Sequence, residues 1–159
     1  MRRASLALAH DQTQLDPRHA ATPAALTVRE LIGLTDQELD AVAQVAEALL
    51  RRGSLRDAIA VYGQLITCEP LQPRYWLAMA DLERRTGQHA VAVACYEMVA
   101  TLAGREPEAT YRQALSLQQL GQSELAANLL DVALSLAEGQ EREPAWAVEA
   151  RRMIGEEKP

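Results

Sequence analysis

Phenylalanine is absent from this chain of 159 residues, lysine occurs once, at Lys158, and cysteine twice, at Cys68 and Cys95. With only two tryptophans and four tyrosines besides, the core has to be assembled from alanine, leucine and valine, a composition that favours helices. Basic residues are also outnumbered. Sixteen against twenty-two acidic residues give a formal charge of −6, which opposes the basic footprint that a nucleic-acid backbone requires, so DNA and RNA binding are not expected. No apolar run approaches the ~20 residues of a membrane span. Met1-Arg2-Arg3 followed by Ala4 to Ala9 superficially resembles the start of an export signal, but the apolar stretch is short and runs straight into His10 and Asp11. The protein is therefore expected to be unexported and cytoplasmic.

Chemistry-bearing constellations are missing as well. The cysteines form no C-x-x-C pair and have no histidine at ligand spacing, which fits reduced, buried packing residues; neither a metal nor a cofactor is expected. His10, His19 and His89 are scattered, there is no glycine-rich phosphate loop, and carboxylates such as Glu38, Asp40, Glu47 and Asp57 fall where helix caps and solvated faces explain them. No acid, base and nucleophile can be assembled into a motif, so an enzyme is not expected.

What is present is a repeat. Gly53, Gly87 and Gly121 stand 34 residues apart, and each is followed five residues later by an alanine, Ala58, Ala92 and Ala126. A turn glycine after one apolar helix and a small residue inside the next, at this period, is the signature of the tetratricopeptide helical hairpin. Val42, Val45, Ala46 and Leu49 precede the first glycine and Ala58, Tyr62, Leu65 and Pro70 follow it. Trp76, Met79, Ala80, Ala92 and Tyr96 fill the same places around the second. Ala114, Leu117, Ala126 and Leu130 do so around the third, which has no tryptophan. Single hairpins cannot bury their apolar faces, so they stack.

The expected fold is all-α: three hairpins in a short superhelix, about 39–72, 73–106 and 107–140, inside a repeat region 35–140. A flexible arm, 1–21, and a leader helix, 22–34, precede them; a capping helix, 141–155, and a tail, 156–159, follow. Thr22 and Pro23 would open the leader helix and Gly33 end it. Thr35 and Glu38 make a capping box for a helix 36–52, and Ser54 and Asp57 do the same for 55–68. Pro73 and Pro107 start helices 73–86 and 107–120, whose partners are 89–103 and 123–138. Gly155 falls on the 34-residue beat, marking Ala145 to Ile154 as a vestigial first helix of a fourth hairpin.

Stacked hairpins curl so that the first helix of each pair lines a concave surface. The positions facing it should be Asp40, Ala43, Glu47 and Leu50; Arg74, Leu77, Asp81 and Arg84; and Glu108, Tyr111, Leu115 and Gln118. Such a lining suits an extended peptide whose apolar side chains enter pockets while Arg74 or Arg84 bonds its carbonyls. Leu26, Leu31, Ile32 and Leu34 form an apolar stripe outside the repeats, which either mediates a homodimer or folds back on the first repeat.

Leu34-Thr35-Asp36, Gly53-Ser54-Leu55-Arg56-Asp57-Ala58, Pro73-Arg74-Tyr75-Trp76-Leu77-Ala78-Met79-Ala80, Thr86-Gly87-Gln88, Ala92-Val93-Ala94-Cys95-Tyr96, Arg105-Glu106-Pro107 and Gly121-Gln122-Ser123-Glu124-Leu125-Ala126 together resemble the class II chaperones of bacterial type III secretion systems. The resemblance covers about two thirds of the chain. It implies a cytoplasmic protein, not an enzyme, that binds hydrophobic translocator proteins through the groove and keeps them soluble and competent for export. The client segment is often of Pro-x-Leu-x-x-Pro type, dimers form through the N-terminal helix, and some members act with a transcriptional activator. Where the family places aromatic rings on the first groove helix this chain has Ala43, Glu47 and Leu50, so a different preferred sequence or a lower affinity is implied. The alternatives are a general repeat adaptor or a co-regulator of a transcriptional activator. A carboxylate clamp of the adaptor kind would need lysine, arginine and asparagine in the groove, which here offers Arg74 and Arg84 but no lysine.

Overall fold

The computed structural model describes residues 27–139 and 143–155. They form eight helices: α1 (Val28–Ile32), α2 (Asp36–Arg51), α3 (Leu55–Cys68), α4 (Pro73–Arg85), α5 (His89–Ala103), α6 (Pro107–Gln119), α7 (Ser123–Ala137) and α8 (Ala145–Ile154). The most extensive packing is within the pairs α2/α3, α4/α5 and α6/α7, followed by α3 on α4 and α5 on α6. That is a linear stack of hairpins. In each pair the first member is called A and the second B.

The turn inside each pair has one form. Gly53, Gly87 and Gly121 have φ of 78°, 82° and 74°, and the bonds around them repeat on the same beat. Gly53 N–H donates to the Leu50 carbonyl and Ser54 N–H to that of Leu49; Gly87 and Gln88 do so to Arg84 and Glu83, and Gly121 and Gln122 to Gln118 and Leu117. These are Schellman closures, in which a left-handed residue lets the chain reverse while the last carbonyls of helix A stay bonded. Between pairs, Pro73 and Pro107 begin α4 and α6 where a missing N–H costs nothing. The Trp76 indole donates to the Pro70 carbonyl at 2.7 Å and pins the first of these turns.

Small residues let the two helices of a pair approach. Ala46, Ala80 and Ala114 on the A helices are fully buried, as are Ala58 and Ala92 on the B helices, with Ala126 only 3% exposed. Beside them Tyr62, Tyr96 and Leu130 fill the equivalent space. The face that each A helix turns to the preceding B helix differs along the stack. In α4 it carries Trp76, Met79 and Leu82; in α6 it is polar, with Thr110, Gln113 and Ser116 all buried. Their groups are satisfied: Thr110 donates to the Glu106 carbonyl, Ser116 to that of Arg112, and Gln113 donates to Glu97 at 2.6 Å while accepting from Arg105 at 3.1 Å. Burial alone would raise Glu97, but these bonds from Gln113 and Arg105 outweigh it and hold its pKa below the ordinary value.

The two ends of the stack differ from its middle. In α2 the positions equivalent to Trp76 and Met79 are Val42 and Val45, and they are 39% and 54% exposed, with no B helix before them among the described residues. At the other end α8 buries Ala147 and Ala150 against the preceding hairpin, while Val148, the beat position that would face its own B helix, is half exposed. α8 is thus placed as a lone A helix, and Gly155 closes it with φ of 80°.

Two capping expectations need correction. Within the described residues the leader helix is the five-residue α1, opened by a Thr27/Glu30 capping box and ended by Gly33; Thr22, Pro23 and Leu26 lie outside the described residues, as do 1–21 and 156–159. Ser54 occupies the N-cap of α3 but makes no side-chain cap bond, whereas Thr35 and Glu38 form the expected box on α2. α1 is held to the first hairpin by Arg29, whose guanidinium bonds Glu69 and, at 2.5 Å, Asp36.

Three outcomes follow for stability. A β-carbon at Gly87 would meet nothing within 4 Å, so the cost of Gly87→Ala is that of the left-handed backbone alone, about 1 kcal/mol, read as a lowered urea midpoint with unchanged helicity. Ala92→Leu overfills the α4/α5 contact and should cost about 1–3 kcal/mol, whereas Val91→Leu, at an exposed position, should leave the midpoint where it is. Cys95 is 4% exposed, and burial, aided by Glu83, pushes its thiol up to about 11. A thiol reagent at neutral pH should therefore modify Cys68 first, and Cys95 only at the rate of unfolding.

Candidate functional site

The twelve positions expected to line the groove lie on α2, α4 and α6. Ala43 and Leu50 on α2, Leu77 on α4 and Tyr111 and Leu115 on α6 are half-buried; Asp40, Glu47, Arg74, Glu108 and Gln118 are exposed; Asp81 and Arg84 are intermediate. Ala43, Leu50 and Leu77 rest on the main core cluster, and Tyr111 on a second cluster around Ala114, Leu130 and Ala150. The apolar members therefore form a floor held by the core beneath and open to water above. A floor of that kind offers area to a ligand without exposing a loose side chain.

Neighbouring A helices are stitched across this face by charge. Arg74 donates to Asp40 at 2.6 Å, joining α4 to α2, and lies 4.8 Å from the centre of the Tyr75 ring. Both partners are about half exposed, so the pair contributes only ~0–1 kcal/mol; its larger consequence is that the guanidinium is already engaged. Arg112 bridges Asp81 at 2.5 Å and Glu108 at 2.6 Å, joining α6 to α4. The Tyr96 hydroxyl, from α5, donates to the other oxygen of Asp81 at 2.5 Å. Burial first, then this bond, raises the Tyr96 pKa, and burial followed by the charge of Glu47 raises that of Tyr62. Both hydroxyls stay protonated, and that of Tyr96 remains a donor to Asp81.

Tyr111 is also engaged. Its ring stacks on that of Trp146 from α8, with centroids 5.2 Å apart and planes at 27°. The far end of the face is thus closed by an aromatic pair rather than left open.

Sequence reasoning missed two members, Arg112 and Trp146. The i,i+4 spacing of Glu108 and Arg112 was a readable signal, and Trp146 lies 35 residues after Tyr111, one past the repeat and so on the neighbouring A helix. Of the leader stripe, Leu31 and Ile32 are 67% and 62% exposed, while Leu34 packs half-buried on the protein's own core. Among the described residues no three histidine, cysteine, aspartate or glutamate side chains are grouped to hold a metal, and no helix is long and apolar enough to cross a membrane.

The arrangement is similar to that of solved secretion chaperones. SycD of Yersinia enterocolitica, in complex with a peptide of the translocator YopD, superposes with a TM-score of 0.70 at 21% identity, covering 76% of this chain and 92% of that one. PcrH, a Pseudomonas aeruginosa protein, in complex with the chaperone binding region of PopD gives 0.70 at 24% identity, covering 77% and 92%. A type III secretion complex from Aeromonas hydrophila gives 0.73 at 22% identity, covering 81% and 86%. The chain has the fold of these translocator chaperones. Among curated proteins, none matches the sequence. The model of the bacterial transcriptional activator domain matches residues 14–114, well over half of the chain, and to that family the chain belongs.

Proposed function

We propose that the protein is a cytoplasmic chaperone of a type III secretion system, which holds an extended segment of a hydrophobic translocator on the inner face of α2, α4 and α6. The observation that carries this reading is the half-buried floor of Ala43, Leu50, Leu77 and Leu115, in a fold shared with chaperones solved bound to translocator segments. A membrane-inserting client exposes apolar surface that associates in water, and covering one segment of it suppresses that association. Release needs no catalytic step, only a competing partner for the client, so moderate affinity and no enzymatic activity are proposed. With small or acidic residues at Ala43 and Glu47, the α2 end lacks ring-lined pockets, which favours clients other than those with a strict Pro-x-Leu-x-x-Pro segment. Leu31 and Ile32 are proposed, together with Leu26, as the contact of a homodimer, since the exposure of Leu31 and Ile32 leaves an apolar edge beside the first hairpin.

A second reading is favoured by the family match. A bacterial transcriptional activator domain suggests a regulatory partner bound by the same stack, as an adaptor or co-regulator, with the charged rim of Asp40, Arg74 and Glu47 as its contact.

Co-expression with a hydrophobic translocator distinguishes the two. On the chaperone reading the client becomes soluble in a stable complex, and Leu77→Asp abolishes that complex while the free protein keeps its helicity and melting temperature within a few degrees. A client that stays insoluble beside the wild-type protein, or a Leu77→Asp variant that still protects it, would sink the reading. Leu77 is the better probe than Tyr111, whose replacement would also unstack Trp146.

A further inference from the structure

The cations of the inner face are not equivalent. Arg74 is engaged by Asp40, and Arg112 by Asp81 and Glu108. Arg84, one turn after Asp81 on α4, has no carboxylate within ion-pair distance among the described residues, and its buried Nε has no hydrogen-bond partner. The neighbouring Asp81 is bonded instead to Tyr96 through one oxygen and to Arg112 through the other. A buried donor of a charged group left without a partner is destabilising, and a half-buried guanidinium is the side chain best suited to recover that loss from a planar oxyanion. The site also has a defined neighbourhood. Arg84 adjoins two tyrosines: its side-chain bond and then its positive charge act to lower the Tyr96 pKa, and its charge that of Tyr111, against the burial that raises both.

We infer that Arg84 selects a carboxylate in the bound segment, so that the preferred ligand is an extended peptide pairing an apolar side chain on the Leu77 floor with an aspartate or glutamate a few residues away. The inference rests on the proposed binding face and refines it. It also separates the two arginines that the sequence offered as equals: Arg74 stitches helices, and Arg84 reads the ligand. A backbone carbonyl would satisfy the same Nε but would leave the charge unmatched, whereas a carboxylate supplies the opposite charge and can accept two parallel bonds from the guanidinium.

The test uses fluorescein-labelled nine-residue peptides with one central leucine in a serine and alanine background, in which a single glutamate or its isostere glutamine is moved through the remaining positions. Binding to the full chain is followed by fluorescence anisotropy. At one position the glutamate peptide should bind about tenfold tighter than its glutamine counterpart, and the preference should shrink as salt is raised. Arg84→Gln should bind the two alike, and Arg84→Lys should keep part of the difference, having the charge without the fork. Arg74→Gln should retain the preference. Glutamate and glutamine peptides that bind the wild type equally, or a preference that survives in Arg84→Gln, would overturn the inference while leaving the apolar face intact. Failure of any leucine peptide to bind more tightly than its serine control would instead remove the binding face, and the inference with it.

Discussion

The close approach of two helices within each hairpin is the contact on which everything else rests. Alanines at 46, 80 and 114 face alanines at 58, 92 and 126 across three successive pairs, all buried. A side chain of one carbon brings the helix surfaces near enough for one tyrosine or leucine beside it to complete the packing. That closeness sets how far each A helix is pushed toward the inner side, and therefore how the inner faces of α2, α4 and α6 line up. It also explains why a chain without phenylalanine can build a core: small residues at fixed spacing reduce the volume that large ones must fill.

Because each hairpin contacts only its neighbours, the ends of the stack behave differently from its middle. Val45 stands in the pattern position that Met79 and Gln113 bury, yet remains open. Val148, in the position that Ala80 and Ala114 bury, is also open at the opposite end, where α8 has a preceding hairpin but no partner helix of its own among the described residues. The junction of the second and third hairpins shows a further freedom. Its A-helix face is Thr110, Gln113 and Ser116, buried without penalty because Glu97, Arg105 and two helix carbonyls meet every polar group.

The inner face combines two kinds of side chain with different tasks. Ala43, Leu50 and Leu77 are shared with the core, which limits the freedom of their side chains. Charges are mostly spent between helices: Asp40 with Arg74, and Asp81 and Glu108 with Arg112. These links fix neighbouring A helices in register. What remains uncommitted is small in number and, for that reason, informative about the ligand.

The architecture was legible because it is local. A glycine that must be left-handed and an alanine one turn into a helix are dictated by short-range sterics and recur at 34 residues whatever lies further along the chain. The same periodicity is what put the expected lining residues on the A helices. Environment was another matter. Whether Val45 is covered depends on what is packed before α2, whether Tyr111 is free depends on Trp146, and which groups Asp81 meets depends on where α5 and α6 place Tyr96 and Arg112. The sequence by itself determined the repeat, its helices and their apolar sides, since each is fixed by neighbours within a few turns. Only the tertiary structure decided which charges are paired and which apolar positions are open, because those depend on distances between helices more than thirty residues apart.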